Sequence, residues 1–497
     1  MFKSIFKGVF IAVVLLVVAA VAATMLVDLN SMKPRIENEV SKNIDKDFKI
    51  NGDIKLVLFP SPSISLSDVQ LSYAKGSIIS VERVFVMPKL GPLLHKQVEL
   101  SRVELLRPVI RLEAGKGAKT DRSQASKSAS QKTAGASGET PHKQTLADKM
   151  VIKDGEFVVV GSDGKQTIVV RGINVDIGRV SIDKGAAGGE GDGFDFIRSL
   201  SLNGEVSVES SKINNMSATD IDSGITLNGG MLELKPLTME VFGSRTEGAG
   251  VVDFTGKMPR LNIKQTVRGL DLEKLFNELN DKKTMSGKAD IFIDLSSSGR
   301  GEEEIKHNLY GSVLMKGKGL VLYDYDIDKI LADYEKTQKY DLVDMGSLFI
   351  AGPFGPLLTK GYDVAGAYGG MAGGRSDITE LISDWRVRGG VATARDVAFA
   401  TKSNRIAIRG KMDFIRGEFR NFTVAVLDAG GCAKYRQAIH GSFDNPKVDK
   451  VAIVGQTIAG PVISLLKKAK KMVVKTNCRV FYSGSVSHPA VGVEGSK

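Results

Sequence analysis

The amino-acid sequence predicts a mainly β protein: one N-terminal transmembrane helix, then an elongated, twisted, mostly antiparallel sheet with a few short helices. Three observations carry that expectation. Apolar residues recur at every second position through most of the chain after Ile50, the period of half-buried strands. Glycine is abundant, at 54 of 497 residues, and suits many tight turns between short strands. Ahead of the strands stands one uncharged stretch, Gly8 to Val27, with no polar face to turn to water.

That first stretch reads GVFIAVVLLVVAAVAATMLV. A helix needs about 20 apolar residues to cross a bilayer core, and this run has that length. A cleaved signal peptide with Ala20-Val21-Ala22 as its site competes, but the run exceeds the roughly 7–15 residues of a signal core. A buried soluble helix would find few neighbours to cover it at an N-terminus. Lys3 and Lys7 precede the run and Asp28 follows it. The positive-inside tendency therefore points to a single-pass anchor with its N-terminus in the cytoplasm and the body outside.

Ser31 to Phe48 has the charge density of a short helix, with Ile36, Val40 and Ile44 at four-residue spacing. Strands follow. Ile54, Leu56 and Leu58 alternate up to Pro60 and Pro62, and the pattern resumes at Ile64/Leu66, Val69/Leu71, Ile79/Val81, Val84/Val86, Val103/Leu105 and Ile110/Leu112. Pro108 marks a break or an edge. Gly115 to Thr145 is rich in Lys, Ser, Ala, Gly and Thr, lacks apolar periodicity and reads as a disordered linker.

Beyond it, Phe157, Val159, Ile168 and Val170 flank a Gly161-Ser162-Asp163-Gly164 turn, and Ile173, Val175 and Ile177 alternate. Gly185 to Gly193 is a flexible loop. Leu200, Leu202, Val206 and Val208 share one strand face, as do Ile225 and Leu227. An internal echo joins GLDLEKLFNEL at 269–279 to YDYDIDKILADY at 323–334, where Asp271 and Asp326 can cap short helices.

The expected divisions are an anchor at 1–28, an N-terminal β module at 29–113, a linker at 114–147, an elongated β body at 148–450 and a C-terminal segment at 451–497. In that last segment Pro461 can begin a helix with Val462, Leu465 and Leu466 on an apolar stripe and Lys467, Lys468, Lys470 and Lys471 beside it. It reads as a membrane-surface helix or as a helix packed on the end of the sheet. The shortness of the stripe and the lack of Trp favour packing.

The order of anchor, charged helix and then INGDIKLVLFPSPSISLSDVQLS, ISVERVFVMPKLGPLL and VELSRVELLRPVIRLE resembles the N-terminal module of the AsmA family. Downstream, SDWRVRGGVATARDVAFATKSNRIAIRGKMDF and LDAGGCAKYRQAIHGSFDNPKV resemble that family's C-terminal region. The resemblance implies a Gram-negative inner-membrane protein facing the periplasm. It also implies a part in outer-membrane biogenesis and lipid transport of the bridge-like kind, with phospholipid, the inner membrane and outer-membrane or envelope-assembly proteins as partners.

Composition narrows the alternatives. Aromatic residues are only 6%, with a single Trp, which argues against a stacking platform for nucleic acid. The net charge of +11 is met by an anionic membrane surface or by solubility alone. Cys432 and Cys478 are the two cysteines. Outside the cytoplasm an even pair points to one disulfide, and in a reducing compartment to two free thiols.

No enzyme is legible. Asp324, Asp326 and Asp328 with Glu335 have the spacing of a calcium loop, but Lys329 stands where the sharp turn needs Gly, so a helix N-terminus is the better reading. The five histidines are scattered, no GxxxxGK[ST] or G-x-S-x-G occurs, and neither a metal nor another cofactor is expected.

A sheet with one apolar face and few helices either packs on a second sheet or leaves a groove. The residues leave both open. The AsmA resemblance implies a groove for phospholipid acyl chains, with Leu200, Leu202, Val206, Val208, Ile225 and Leu227 as its candidate lining. A scaffold that binds envelope proteins through its strand edges is the alternative.

Overall fold

The computed structural model describes residues 29–44, 46–57, 61–72, 77–89, 91–92, 99–113, 143–161, 164–183, 194–213, 216–280, 284–337, 374–449, 452–453 and 478–489. The expected anchor at 8–27 and the expected surface helix, with Val462, Leu466, Lys467, Lys468, Lys470 and Lys471, lie outside the described residues. Among the described residues no helix is long and apolar enough to cross a membrane.

Almost every alternating segment forms a strand, and twenty-four strands are present among the described residues. The chain divides into two units, Met1–Glu240 with Val251–Lys257, and Val241–Gly250 with Met258–Lys497.

The first unit begins with helix α1 (Lys33–Ile44). Strands β1 (Asp47–Ile50) and β2 (Ile54–Val57) pair in succession along one side of β3 (Ser63–Ser72), so they form one kinked edge. Side chains from the helical region close that edge. The Glu37 carboxylate accepts the Ile50 N–H at 2.7 Å, and the Asn30 carbonyl accepts the Ile54 N–H at 3.0 Å. An edge covered in this way offers few free amides to another strand.

β4 (Ile78–Pro88) and β5 (Leu100–Glu113) continue the antiparallel ladder. β5 then pairs in parallel with β7 (Met150–Val160), and antiparallel order resumes through β8 (Gln166–Ile177), β10 (Leu200–Ile213), β11 (Met216–Asn228) and β12 (Met231–Val241). Short strands β6 (Lys143–Ala147) and β9 (Val180–Asp183) and helix α2 (Asp195–Ser199) complete the unit. Two expectations change. The linker is shorter than 114–147, because 143–147 is β6 paired to β9. Residues on both sides of it share one unit, because the β5–β7 pairing joins them.

A seam of left-handed residues crosses this sheet: Asp68 (φ 49°), Arg107 (48°), Asp154 (53°), Gly172 (65°) and Asp220 (48°). A bulge of this kind re-aims the side chains that follow it. The alternation changes phase there, from Leu66 to Val69 and from Leu105 to Ile110, which keeps apolar residues on one face. Pro108 is neither a break nor an edge. It lies inside β5 beside Arg107, where the ladder to β7 skips from Leu106 to Val109 and no N–H is needed.

The second unit is an antiparallel meander with helices on it. After β13 (Ser244–Asp253), β14 (Arg260–Asp271) leads into helix α3 (Leu272–Asn280), then β15 (Met285–Ser286) and β16 (Lys288–Ser298). A short helix α4 (Glu302–His307) precedes β17 (Tyr310–Tyr323), and helix α5 (Ile327–Thr337) follows it. β18 (Arg375–Arg388), β19 (Val391–Ala400), β20 (Arg405–Asp413), β21 (Glu418–Leu427) and β22 (Ala433–Ser442) pair in order, with β23 (Asn445–Val448) and β24 (Ala452–Ile453) on β22.

Both helices start on the expected caps. The Asp271 carboxylate accepts the Glu273 N–H at 3.0 Å, and that of Asp326 accepts the Lys329 N–H at 3.0 Å. Their apolar stripes, Leu272, Leu275 and Phe276 on α3 and Ile327 and Leu331 on α5, join one core with Leu270, Leu320, Ile378, Trp385 and Phe422.

Candidate functional site

In the first unit, strand register assembles two apolar rows across nine strands. One runs Ile54, Leu66, Val84, Leu105, Ile152, Val175, Val206, Ser223, Leu237. Its neighbour runs Leu56, Ile64, Val86, Val103, Met150, Ile177, Gly204, Ile225, Leu234. Gly204 interrupts the second row for a steric reason: a Cβ there would strike the Asp176 carbonyl oxygen. The reverse face carries Lys55, Ser65, Glu104, Asp176 and Glu205 along the intervening row, with Phe85 and Val151 among them.

The residues singled out in the sequence lie on the apolar face. Leu202 stands opposite Leu227, Gly204 opposite Ile225, Val206 opposite Ser223 and Val208 opposite Ile221, while Leu200 opens β10. Sequence reasoning missed the part supplied by β2, β3, β4 and β5. Their alternation was plain, but nothing local announces that β5 will pair with β7 across the linker.

Most of this face is half-buried: Leu66, Val84, Leu105, Ile152, Val175, Val206 and Ile225 are neither sealed nor fully exposed. Ile54, Ile177, Leu227 and Leu237 of this face are buried, but among the described residues the two clusters of packed, buried apolar residues lie in the second unit. Ion pairs line the reverse face. There Glu104 takes Lys153 at 2.6 Å and Arg102 at 2.9 Å. The Lys153 hydrogen bond, against a smaller effect of burial, holds the Glu104 carboxyl below the usual carboxylate range.

The other candidates resolve into structural roles. Asp328 accepts Thr401 Oγ1 at 2.6 Å and Asn404 Nδ2 at 2.7 Å, and Glu335 pairs with Lys434 at 2.8 Å, so the acids of the calcium-like spacing serve separate partners. Among the described residues no group of three or more His, Cys, Asp or Glu is placed to hold a metal ion. Cys432 and Cys478 are joined in a disulfide with Cα atoms 6.1 Å apart.

The disulfide ties down residues 478–489. Tyr482 and Val486, at 6% and 0% exposure, pack on a row of buried alanines, Ala398, Ala407 and Ala425. Asp396 accepts the Ser485 N–H at 3.0 Å and the Tyr482 hydroxyl, while Arg405 donates to the Val486 carbonyl at 3.1 Å. Burial, with the hydrogen bond to Asp396, raises the Tyr482 pKa well above its ordinary value, so its hydroxyl stays a donor.

These features define a class: a long-sheet protein in which, among the described residues, the N-terminal unit carries a half-buried apolar face and the C-terminal unit is closed by helices. A family model described as "AsmA family" matches residues 2–190 and 194–351, and the chain belongs to the AsmA family. No curated protein and no solved structure shows significant similarity to it.

Proposed function

We propose that the first unit holds phospholipid acyl chains against its apolar face, and that the protein is an anchored, non-enzymatic lipid-handling protein of the cell envelope. In this reading it sits in the inner membrane of a Gram-negative cell with its body in the periplasm, and it supports outer-membrane biogenesis. The pair of nine-strand apolar rows carries the reading. Each methylene moved from water onto such a surface gains up to about 0.8 kcal/mol, so two acyl chains would add substantially to what the half-buried side chains gain alone.

The scaffold alternative needs free strand edges, and Glu37 and Asn30 occupy amides of the first one. Native mass spectrometry of the full chain tests the proposal. Phospholipid adducts should survive removal of the solubilising detergent. Folded protein free of lipid would overturn it.

A further inference from the structure

The strand ends of the first unit that carry the β10–β11 connection bear an apolar row of their own. Register places Leu112, Val159, Ile168, Ile213 and Met216 side by side across β5, β7, β8, β10 and β11. It is the last such row before the strands end. Leu112, Ile213 and Met216 are 39%, 50% and 44% exposed. Three large apolar side chains in register at a rim are unlike scattered surface leucines, and a contiguous exposed patch of this kind marks a contact surface.

Charge says what the contact is. One position inward, on the reverse face, stand Arg111 and Lys212, on strands β5 and β10. Lys165 is exposed at the β7–β8 turn. Glu113 is the one acid within this rim among the described residues, and it lies 3.9 Å from Arg111. Lys212 has no ion-pair partner there. Apolar tips flanked by cations fit an interface with anionic phospholipid, where tips enter the acyl boundary and the basic groups meet headgroups. A protein partner of matched shape would instead be expected to bring acids to these cations, and it is an outcome of the test below.

We infer that this rim docks on the surface of an anionic phospholipid bilayer. The inference shares with the proposed function only its partner, lipid. The rim adds the place at which the apolar face meets a membrane, and the seam's phase shift carries that face through to the rim.

The described residues hold no free cysteine, so Ile213→Cys supplies a single labelling site for an environment-sensitive fluorophore. The labelled full chain is reconstituted in phosphatidylcholine vesicles and mixed with acceptor vesicles containing phosphatidylglycerol and brominated acyl chains. In a second arm the host vesicle carries the anionic and brominated lipids. Quenching in either arm is expected, whichever bilayer the rim meets, and Lys212→Gln should weaken it about fivefold. A probe at Asp176→Cys, on the reverse face, should stay unquenched.

No quenching at position 213 in both arms, or equal quenching at 176, overturns the docking. So does quenching that survives Ile213→Asp with Met216→Asp, read from a probe at Leu112→Cys, because a protein contact or passive adhesion would then explain it. Rim quenching in a chain that copurifies without lipid would sink the groove and leave the rim standing. Lipid copurification without rim quenching would do the reverse.

Discussion

The two units are built from the same kind of strand and differ in what lies on them. In the second, Leu272 and Phe276 of α3 and Ile327 and Leu331 of α5 close over Leu270, Leu320 and Ile378, and all of these are 0–3% exposed. In the first, the equivalent alternation leaves Val84, Leu105, Val175 and Val206 half-buried. Connections make the difference. α3 and α5 each follow a strand directly and start on an aspartate cap. The β7–β8, β10–β11 and β11–β12 connections span only a few residues, too few for a helix that could lie back on the sheet. In the second unit the helices that follow strands are what seal the apolar face.

The contrast can be broken by substitution. Ile327→Asp buries a carboxylate without a partner in the sealed unit and should cost about 4–5 kcal/mol, unfolding that unit or making the protein insoluble. Soluble protein with an unchanged thermal transition would mean that α5 does not seal the sheet. Cys432→Ser opens a loop with a sequence separation of 46 residues, and the chain-entropy relation assigns that about 4 kcal/mol. Urea unfolding followed by tryptophan fluorescence should register it, because Trp385 lies in the second unit's core.

Asp413 gives a smaller and pH-dependent effect. Burial alone would raise its pKa, but the Arg416 and Ile415 amides at 3.1 and 3.0 Å and the Arg420 guanidinium at 3.1 Å outweigh it. The carboxyl is held below its usual range, so its stabilisation is complete above the unfolded value of about 4 and fades as pH falls through the depressed one. Asp413→Asn should cost about 1.5–3 kcal/mol at neutral pH, and the difference should vanish in acid. A pH-independent difference would show that charge is not what the site uses. Smallest is Glu37→Ala in the first unit, which releases the Ile50 N–H and should cost about 1 kcal/mol. Hydrogen exchange at Ile50 should quicken while exchange in β8 stays slow.

Much of this was legible in the sequence. The strands followed from alternation and the helix starts from Asp271 and Asp326. Leu202, Val206, Ile225 and Leu227 were seen as co-facial because a period of two is a local property. Even the seam left a trace, in the three-residue step from Leu66 to Val69 and from Val81 to Val84. What escaped was long-range. The parallel pairing of Leu105 with Ile152 crosses the linker, and the contact of Tyr482 with Asp396 spans 86 residues. Pairings of that reach depend on which surfaces remain to be covered once local structure has formed.

The open face itself is tested most directly by Val206→Glu, paired with a Val206→Ala control, with phospholipid copurification and thermal unfolding read on the same samples. Val206 lies mid-row between Val175 and Ser223. On an open face the new carboxylate can reach water, so the Glu variant should express normally, lose little in melting temperature and copurify with no phospholipid, while the Ala variant keeps both properties. Degraded or insoluble Val206→Glu protein would show a sealed core where an open face is described, and folded protein with undiminished lipid would place the lipid elsewhere.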